Sequence, residues 1–306
     1  MVRRQNGAAL LVALVVVAIA TVLATLALER SQRDGLRSQS IAQSERAYQY
    51  ALGMESVAMA MIREAEESGM GQFLLDGAWT EPFEVPGGMV RGRVLDQSGR
   101  FNLNALAHPE SGPRLQALQQ LEDLLAQLAL NPNLASELAD WLEGTATPRP
   151  AGAGDSWYAA QTPAYRTAGR PMAHVSELRW LRSMNDETFQ TLRPHVSALP
   201  VTNQRLNINN TTPEVLASFS DALDVETARR VLQDGPFNSL EDFLDHPSIS
   251  GIEMTGVINQ LTTQSEWFLA HARVELDQVP RDFYRLMDRA TLEADYRYFR
   301  MGQEQH

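Results

Sequence analysis

Side chains that could catalyse a reaction are scarce in this chain of 306 residues. It contains no cysteine, and all 26 of its Lys or Arg positions are arginine. Thiolate nucleophiles, Schiff-base lysines and the phosphate-binding lysine of a P-loop are therefore excluded. The six histidines include no HxxxH pair, and the sequence has no GxSxG motif. From this composition we predict that the chain has no active site and is not an enzyme.

One peptide bond is a candidate for chemistry done to the chain, just before a long apolar segment. Residues 8–28 carry no charge, and Arg3, Arg4 and Gly7 precede them. As a helix this segment rises about 31 Å, enough to cross the hydrocarbon core of a bilayer. A secretory signal is cleaved after its apolar core, whereas Gly7 stands before it. Cleavage between Gly7 and Ala8 would keep the membrane helix on the mature protein; an ordinary membrane anchor is the alternative.

The charges argue against nucleic acid and anionic membrane as partners but do not decide the orientation of the chain in the membrane. The formal net charge is −12 at pH 7, so the surface is expected to repel nucleic acid and anionic membrane unless arginines cluster. Two arginines precede the apolar segment, and Arg30, Arg33 and Arg37 follow it. Counting arginines therefore allows either orientation.

The apolar segment is predicted to continue as an amphipathic helix to about residue 68. One apolar stripe, expected to pack on a sheet, consists of Tyr50, Met54, Val57 and Met61. Charged residues fall largely outside this stripe: Arg46, Glu55, Arg63 and Glu66. Gly69 and Gly71 are predicted to end the helix.

Two groups of strands are predicted around a helical middle. Residues 83–95 read as a hairpin that turns at residues 86–88, and residues 96–99 form the next turn. Residues 268–276 alternate as a strand does, residues 277–282 with Pro280 are predicted to turn, and residues 283–289 are again extended. One long helix on one antiparallel sheet gives an α+β fold.

Between the strand groups, the pattern favours an all-helical insertion. Ser111 and Pro113 start its first helix and Thr212 with Pro213 a later one, and residues 144–154 are predicted to be a loop. The predicted helices cover residues 115–128, 134–142, 175–181, 187–192, 213–219, 225–232, 240–244 and 252–261.

The start of the chain resembles the leader of type IV pilins and of the pseudopilins of type II secretion. The resemblance implies that a prepilin peptidase cuts between Gly7 and Ala8, that the new amino terminus is methylated, and that this terminus lies in the cytoplasm. Most members carry a glutamate at the position of Val12, where it is thought to pair with the terminal amine of a neighbouring subunit. Valine there implies a subunit with no such neighbour above it, at the tip of the fibre.

The whole chain resembles the K-type minor pseudopilins of type II secretion. The matching strings are Arg100-Phe101-Asn102-Leu103-Asn104, Asp140-Trp141-Leu142, Gly152-Ala153 with Asp155 and Tyr158, Tyr165-Arg166, Pro171-Met172, Ser176-Glu177-Leu178, and Leu206-Asn207-Ile208-Asn209. The resemblance implies a pilin-like long helix on an antiparallel sheet with a large insertion, similar to SAM or helix-hairpin-helix modules. The implied partners are I- and J-type minor pseudopilins, the pseudopilus and the assembly platform of the inner membrane.

The implied division of the chain has five parts. They are a leader (1–7), a transmembrane part (8–28), the pilin-like helix and first strands (29–106), the helical insertion (107–264), and the closing strands and tail (265–306). The implied topology is single-pass in a bacterial inner membrane, with the carboxy-terminal domain in the periplasm.

Members of this family can hold calcium in an acidic loop of the insertion, which implies a calcium site here at Glu143 and Asp155. The family pattern would place further carboxylates at residues 145 and 154, but this chain has Thr145 and Gly154. Because hard cations need several oxygen ligands, a solvated loop with helix-capping acids is the alternative.

Residues 206–243 also resemble DNA-binding helix-hairpin-helix modules, which bind phosphate through a hairpin that contains glycine. The hairpin here, residues 219–224, has Asp221 and Asp224 and no glycine, so it is expected to have lost this function. Three hypotheses follow: a non-enzymatic pseudopilin at the fibre tip that supports protein export, a type IV or DNA-uptake minor pilin that binds DNA, and an anchored enzyme. A salt-dependent affinity for DNA would favour the second.

Overall fold

The computed structural model describes residues 5–68 and 77–291. Its first element is a single helix, α1 (Gln5–Ser68), of 64 residues, which is about 96 Å long. The predicted helix end at Gly69 and Gly71 lies outside the described residues, as do the two leader arginines and the tail from residue 292. The first half of α1 exposes its apolar side chains, and the second half packs on a sheet.

Four antiparallel strands form this sheet, in the order β1-β2-β3-β4. They are β1 (Phe83–Val85), β2 (Gly88–Asp96), β3 (Trp267–Leu276) and β4 (Val279–Asp288). In the register of the two central strands, Val90 lies opposite Val274 and Gly92 opposite Ala272. The predicted α+β class, with one long helix on an antiparallel sheet, is confirmed.

The contact between α1 and the sheet is made by small side chains. The buried apolar residues of the helix are Ala47, Ala51, Met54, Ala58, Ile62 and Ala65. Of the four residues in the predicted stripe, only Met54 is buried, and the other three are half-buried beside the contact. A Cβ at Gly92 would lie 2.6 Å from Met54 Cε. Alanine on the helix and glycine on the strand therefore leave room for the Met54 side chain between helix and sheet.

The turn between β3 and β4 is shorter than the sequence indicated. It consists of Asp277 and Gln278, with φ values of 50° and 64°, which match a two-residue hairpin turn. Pro280 belongs to β4, paired with Glu275, and the predicted turn over residues 277–282 was wrong. Because β4 is an edge strand, proline's missing N–H is tolerated there.

The middle of the chain is mainly helical and has its own core, which runs from Phe101 to Leu261. Its α-helices are α2 (Ser111–Gln127), α3 (Asn133–Glu143), α4 (Asp155–Ala159), α5 (Asp186–Leu192), α6 (Pro213–Ala217), α7 (Val225–Gln233) and α8 (Leu240–Leu244). Thr212 caps α6 as predicted, accepting a hydrogen bond from the Val215 N–H.

Four details of this segment differ from the sequence predictions. Residues 175–180 form a 3-10 helix, and α4 was not predicted. The helix predicted at 252–261 was wrong: only Ile258–Gln260 form a 3-10 turn, and Leu261–Thr262 pair in parallel with Leu206–Asn207. A second parallel pair joins Phe101–Asn102 to Val196–Ser197. Backbone pairing between distant segments thus overrides local helix propensity.

Candidate functional site

The apolar half of α1 is the first candidate functional surface. Gly7 and Ala8 lie in the helix near its start, and Val12 is 61% exposed in the second turn. None of the most apolar window of the helix is buried, so this surface needs lipid or other apolar helices around it. The hydroxyls of Thr21 and Thr25 donate to the carbonyls of Val17 and Thr21, at 2.8 and 2.9 Å. Their hydrogen bonds are therefore satisfied within the helix, as an apolar environment demands.

A buried ion pair fixes the second half of α1 to the sheet. Glu55 on α1 accepts a hydrogen bond from Arg285 on β4, and the two side chains are 6% and 10% exposed. The other carboxylate oxygen of Glu55, Oε1, has no hydrogen-bond partner among the described residues. The sequence placed Glu55 largely outside the apolar stripe, but the residue is buried against the sheet. Arg285 lies two residues from each of the buried Phe283 and Met287. Side chains two residues apart share one face of a strand, and this period of two is the signal that identifies Arg285 as an inward-facing charge.

The opposite face of the sheet carries a cluster of arginines around Trp79. The guanidinium carbons of Arg91 and Arg93 lie 4.6 and 4.5 Å from the centre of its ring, close enough for cation–π attraction. His271 lies buried beneath them. Arg93 Nε donates to His271 Nδ1 at 3.0 Å, and His271 Nε2 lies 2.7 Å from Asp282 Oδ1. Since arginine can only donate, Nδ1 is an acceptor and the imidazole is neutral with its proton on Nε2.

Asp282 completes this cluster and holds it together electrostatically. Arg273 donates to both of its carboxylate oxygens, at 2.8 and 3.0 Å. Burial acts to raise the pKa of Asp282, but hydrogen bonds from Arg273 and His271 oppose it and hold the pKa below its usual value. His271 is 1% exposed, so this imidazole has no access to a substrate. The cluster is a structural network rather than a catalytic site.

The two acids named as calcium ligands bind different partners within the protein. Glu143, at the end of α3, pairs with Arg149, whose Nη2 lies 2.8 Å from Glu143 Oε1. Asp155, at the start of α4, accepts from the N–H of Thr167 at 2.9 Å and from its hydroxyl at 2.6 Å. Those hydrogen bonds lower the pKa of Asp155. Within residues 5–68 and 77–291, no group of three or more potential metal ligands occurs.

Sequence reasoning missed the arginine that occupies this acidic loop. Arg149 also binds Asp140, which is completely buried, through its guanidinium Nη1 at 2.6 Å. Hydrogen bonds with Glu143 and Asp140 outweigh burial and raise the pKa of Arg149, while its guanidinium lowers the pKa of Glu143. The available signal was an arginine placed between three acids within sixteen residues of sequence, from Asp140 to Asp155.

In the helix-hairpin-helix region, two helices pack together and a carboxylate caps the second of them. Helices α6 and α7 pack against each other, and residues 218–224 connect them. Asp224 caps α7 by accepting a hydrogen bond from the Thr227 N–H at 2.8 Å. A carboxylate therefore caps the start of α7, and it keeps a negative charge because the Thr227 hydrogen bonds lower the pKa of Asp224. Negative charge at this position would repel a phosphate.

A long helix that is apolar and exposed in its first half, and packed on an antiparallel sheet in its second, defines the class of this protein as pilin-like. The fold of a solved structure agrees. A chain in the crystal structure of the GspK-GspI-GspJ complex from the type 2 secretion system of enterotoxigenic Escherichia coli matches with a TM-score of 0.74. The two are 23% identical, and the match covers 88% of this chain and 100% of that chain.

Sequence comparison narrows the class to one family. The family described as Type II secretion system (T2SS), protein K, matches residues 99–201 and 206–264. The chain is 30% identical to Type II secretion system protein K of Klebsiella pneumoniae, covering 99% of this chain and 97% of the relative. It is 35% identical to the Pseudomonas aeruginosa protein of the same name, covering 80% and 77%. The chain therefore belongs to the type II secretion system protein K family and is a minor pseudopilin.

Proposed function

We propose that this chain is a non-enzymatic minor pseudopilin that caps the tip of the type II secretion pseudopilus and thereby supports protein export across the outer membrane. The observation that carries the proposal is one uninterrupted helix whose first half is apolar and exposed and whose second half packs on a sheet, together with a broad, mainly helical segment with a separate core that is inserted between two strands of that sheet. The apolar half packs among neighbouring subunits. The broad segment lies above them and sterically opposes the addition of a further subunit.

Assembly begins at the inner membrane, which α1 spans once. A prepilin peptidase cleaves between Gly7 and Ala8, and the new amino terminus is methylated on the cytoplasmic side, which leaves the sheet and the helical segment in the periplasm. The assembly platform then moves the subunit into the fibre. The partners at the tip are I- and J-type minor pseudopilins; the structural relative was solved in a GspK-GspI-GspJ complex, which supports this choice.

Val12 adapts the helix to the tip position. A carboxylate on this apolar helix costs at most about 2.5–3.5 kcal/mol, the value at the bilayer centre, unless a positive charge neutralises it. In a subunit with another one above it, the terminal amine of that neighbour supplies the charge. A tip subunit has no such neighbour, so an uncharged side chain at residue 12 avoids the cost.

The proposal is tested with Val12→Glu, using Val12→Leu as a control that preserves an apolar side chain. We expect both variants to reach the membrane at wild-type levels and only Val12→Glu to reduce co-purification with I- and J-type pseudopilins or to change pseudopilus length. Mass spectrometry of the native protein is expected to find Ala8 as the first residue. Unchanged assembly and length in Val12→Glu would contradict the role of Val12, and an intact Met1 would contradict the processing step.

A further inference from the structure

The loop of residues 144–154 closes onto the end of α3 through one buried carboxylate. Asp140 is 0% exposed; its Oδ2 accepts from the backbone N–H of Arg149 at 3.0 Å, and its Oδ1 from the Arg149 guanidinium. Gly152 packs directly on the same carboxylate, since a Cβ there would lie 1.6 Å from Asp140 Oδ2. The fold of the loop therefore depends on how the charge of Asp140 is balanced.

One guanidinium balances two carboxylates at this point. Besides Asp140, Arg149 Nη1 and Nη2 donate to Glu143 Oε2 and Oε1, at 3.1 and 2.8 Å. Arg114 on α2 approaches the same Glu143 at 3.8 Å. Both acids lie in the last turn of α3, where the helix dipole disfavours negative charge, and α3 has no basic residue of its own there. Two carboxylates thus meet two guanidinium groups, and the local charges cancel.

The residues around the loop do not fit a calcium ion. Calcium takes six to eight oxygen ligands at about 2.3–2.6 Å, whereas the carboxylates of Asp140 and Glu143 already accept from Arg149. The Thr145 hydroxyl lies 3.1 Å from the Thr147 carbonyl, and Asp155 accepts from Thr167. Gly154 has no side chain to offer, and a Cβ there would lie 3.2 Å from the Thr145 carbonyl oxygen. A dication would also have to approach two positively charged groups.

We propose that the Arg149 guanidinium takes the structural place of a bound cation, so that the loop folds without calcium. An arginine is well suited to this task because its planar fork donates in fixed directions and it stays charged in a buried site. Arg182 reinforces the loop from outside, donating to the Ala151 carbonyl at 3.1 Å and to Glu137 at 2.9 Å. The loop is therefore held by covalently attached cations, whatever the metal content of the periplasm.

The test compares the full chain in detergent micelles with calcium and with a chelator, following thermal unfolding by tryptophan fluorescence. Trp141 and Trp157 both pack on Tyr158 beside the loop, with ring centres 5.2 and 4.9 Å from its ring, so their emission reports on this region. We expect the unfolding midpoint of the wild type to differ by less than about 1 °C between the two conditions, and terbium, a luminescent probe of calcium sites, to give no saturable signal.

The matched variants are Arg149→Gln and Arg229→Gln. Arg229 also contacts two carboxylates, Glu226 at 2.5 Å and Glu214 at 3.8 Å, but its side chain is 45% exposed against 28% for Arg149. We expect Arg149→Gln to lower the midpoint by about 4–10 °C, because it leaves a buried carboxylate without its cation, and Arg229→Gln by about 2 °C or less.

Two results would overturn the proposal. One is a rise of several degrees in the wild-type midpoint on adding calcium, or saturable terbium binding to the wild type. The other is an Arg149→Gln midpoint equal to that of Arg229→Gln. If Arg149→Gln does not accumulate as folded protein, the calcium and terbium measurements on the wild type still decide the question.

Discussion

The buried pair between Glu55 and Arg285 makes a quantitative prediction about how α1 is held to the sheet. Arg285→Met keeps a long side chain and removes the charge, which leaves the Glu55 carboxylate buried with neither oxygen bound to Arg285. Removing one partner of such a pair costs about 3–5 kcal/mol. The matched control is Arg33→Met, which removes a partner of Glu29 on the same helix, where the two side chains are 79% and 52% exposed. Exposed pairs at this spacing contribute about 0.3–0.5 kcal/mol.

The assay is denaturant unfolding of the full chain in detergent, combined with hydrogen exchange of the β3 and β4 amides, which reports on the sheet separately from the helical segment. We expect Arg285→Met to increase exchange in both strands and Arg33→Met to leave it unchanged. The double variant Glu55→Leu with Arg285→Met removes both charges and is expected to return to within about 1–2 kcal/mol of the wild type. The reasoning is refuted if Arg285→Met costs no more than Arg33→Met, or if the double variant is as unstable as the single one.

Two further predictions concern the sheet. The folded pKa of Asp282 is lowered, so its contribution to stability is present above its unfolded pKa of about 3.9 and is lost as the pH falls through the folded value. Unfolding midpoints measured from pH 6 to pH 3 should therefore decrease once the pH drops below about 4, and the decrease should be smaller in Asp282→Asn. An equal fall in both chains would contradict this. At Gly88 a Cβ would lie 1.8 Å from the Glu275 carbonyl oxygen, whereas at Gly92 it would meet the flexible end of Met54. Gly88→Ala is therefore expected to destabilise the protein by about 1–3 kcal/mol or more, and Gly92→Ala by less than about 1 kcal/mol. If denaturant unfolding gave the reverse order, this would be evidence against the register of β2 and β3.

Local sequence patterns were sufficient where one segment alone decides its conformation. The helix α1, the hairpin at residues 83–95 and the capped helix α6 were all predicted, because apolar period, turn residues and caps act over a few neighbouring residues. The role of Val12 in assembly stays a prediction. The cleavage at Gly7 and the division into domains stay predictions.

Tertiary structure decided the features that depend on residues far apart in the chain. The strand at Leu261–Thr262 exists because Leu206–Asn207 lies beside it, and Pro280 is tolerated because, among the strands that the structure describes, β4 has no neighbour on one side. Likewise, Glu55 is buried because the fold brings Arg285, which is 230 positions away in the sequence, next to it on β4. Only the path of the loop shows that Arg149 lies against the acids at residues 140 and 143 and balances their charge. Charge balance in a folded protein depends on distances in space, which a linear pattern does not contain.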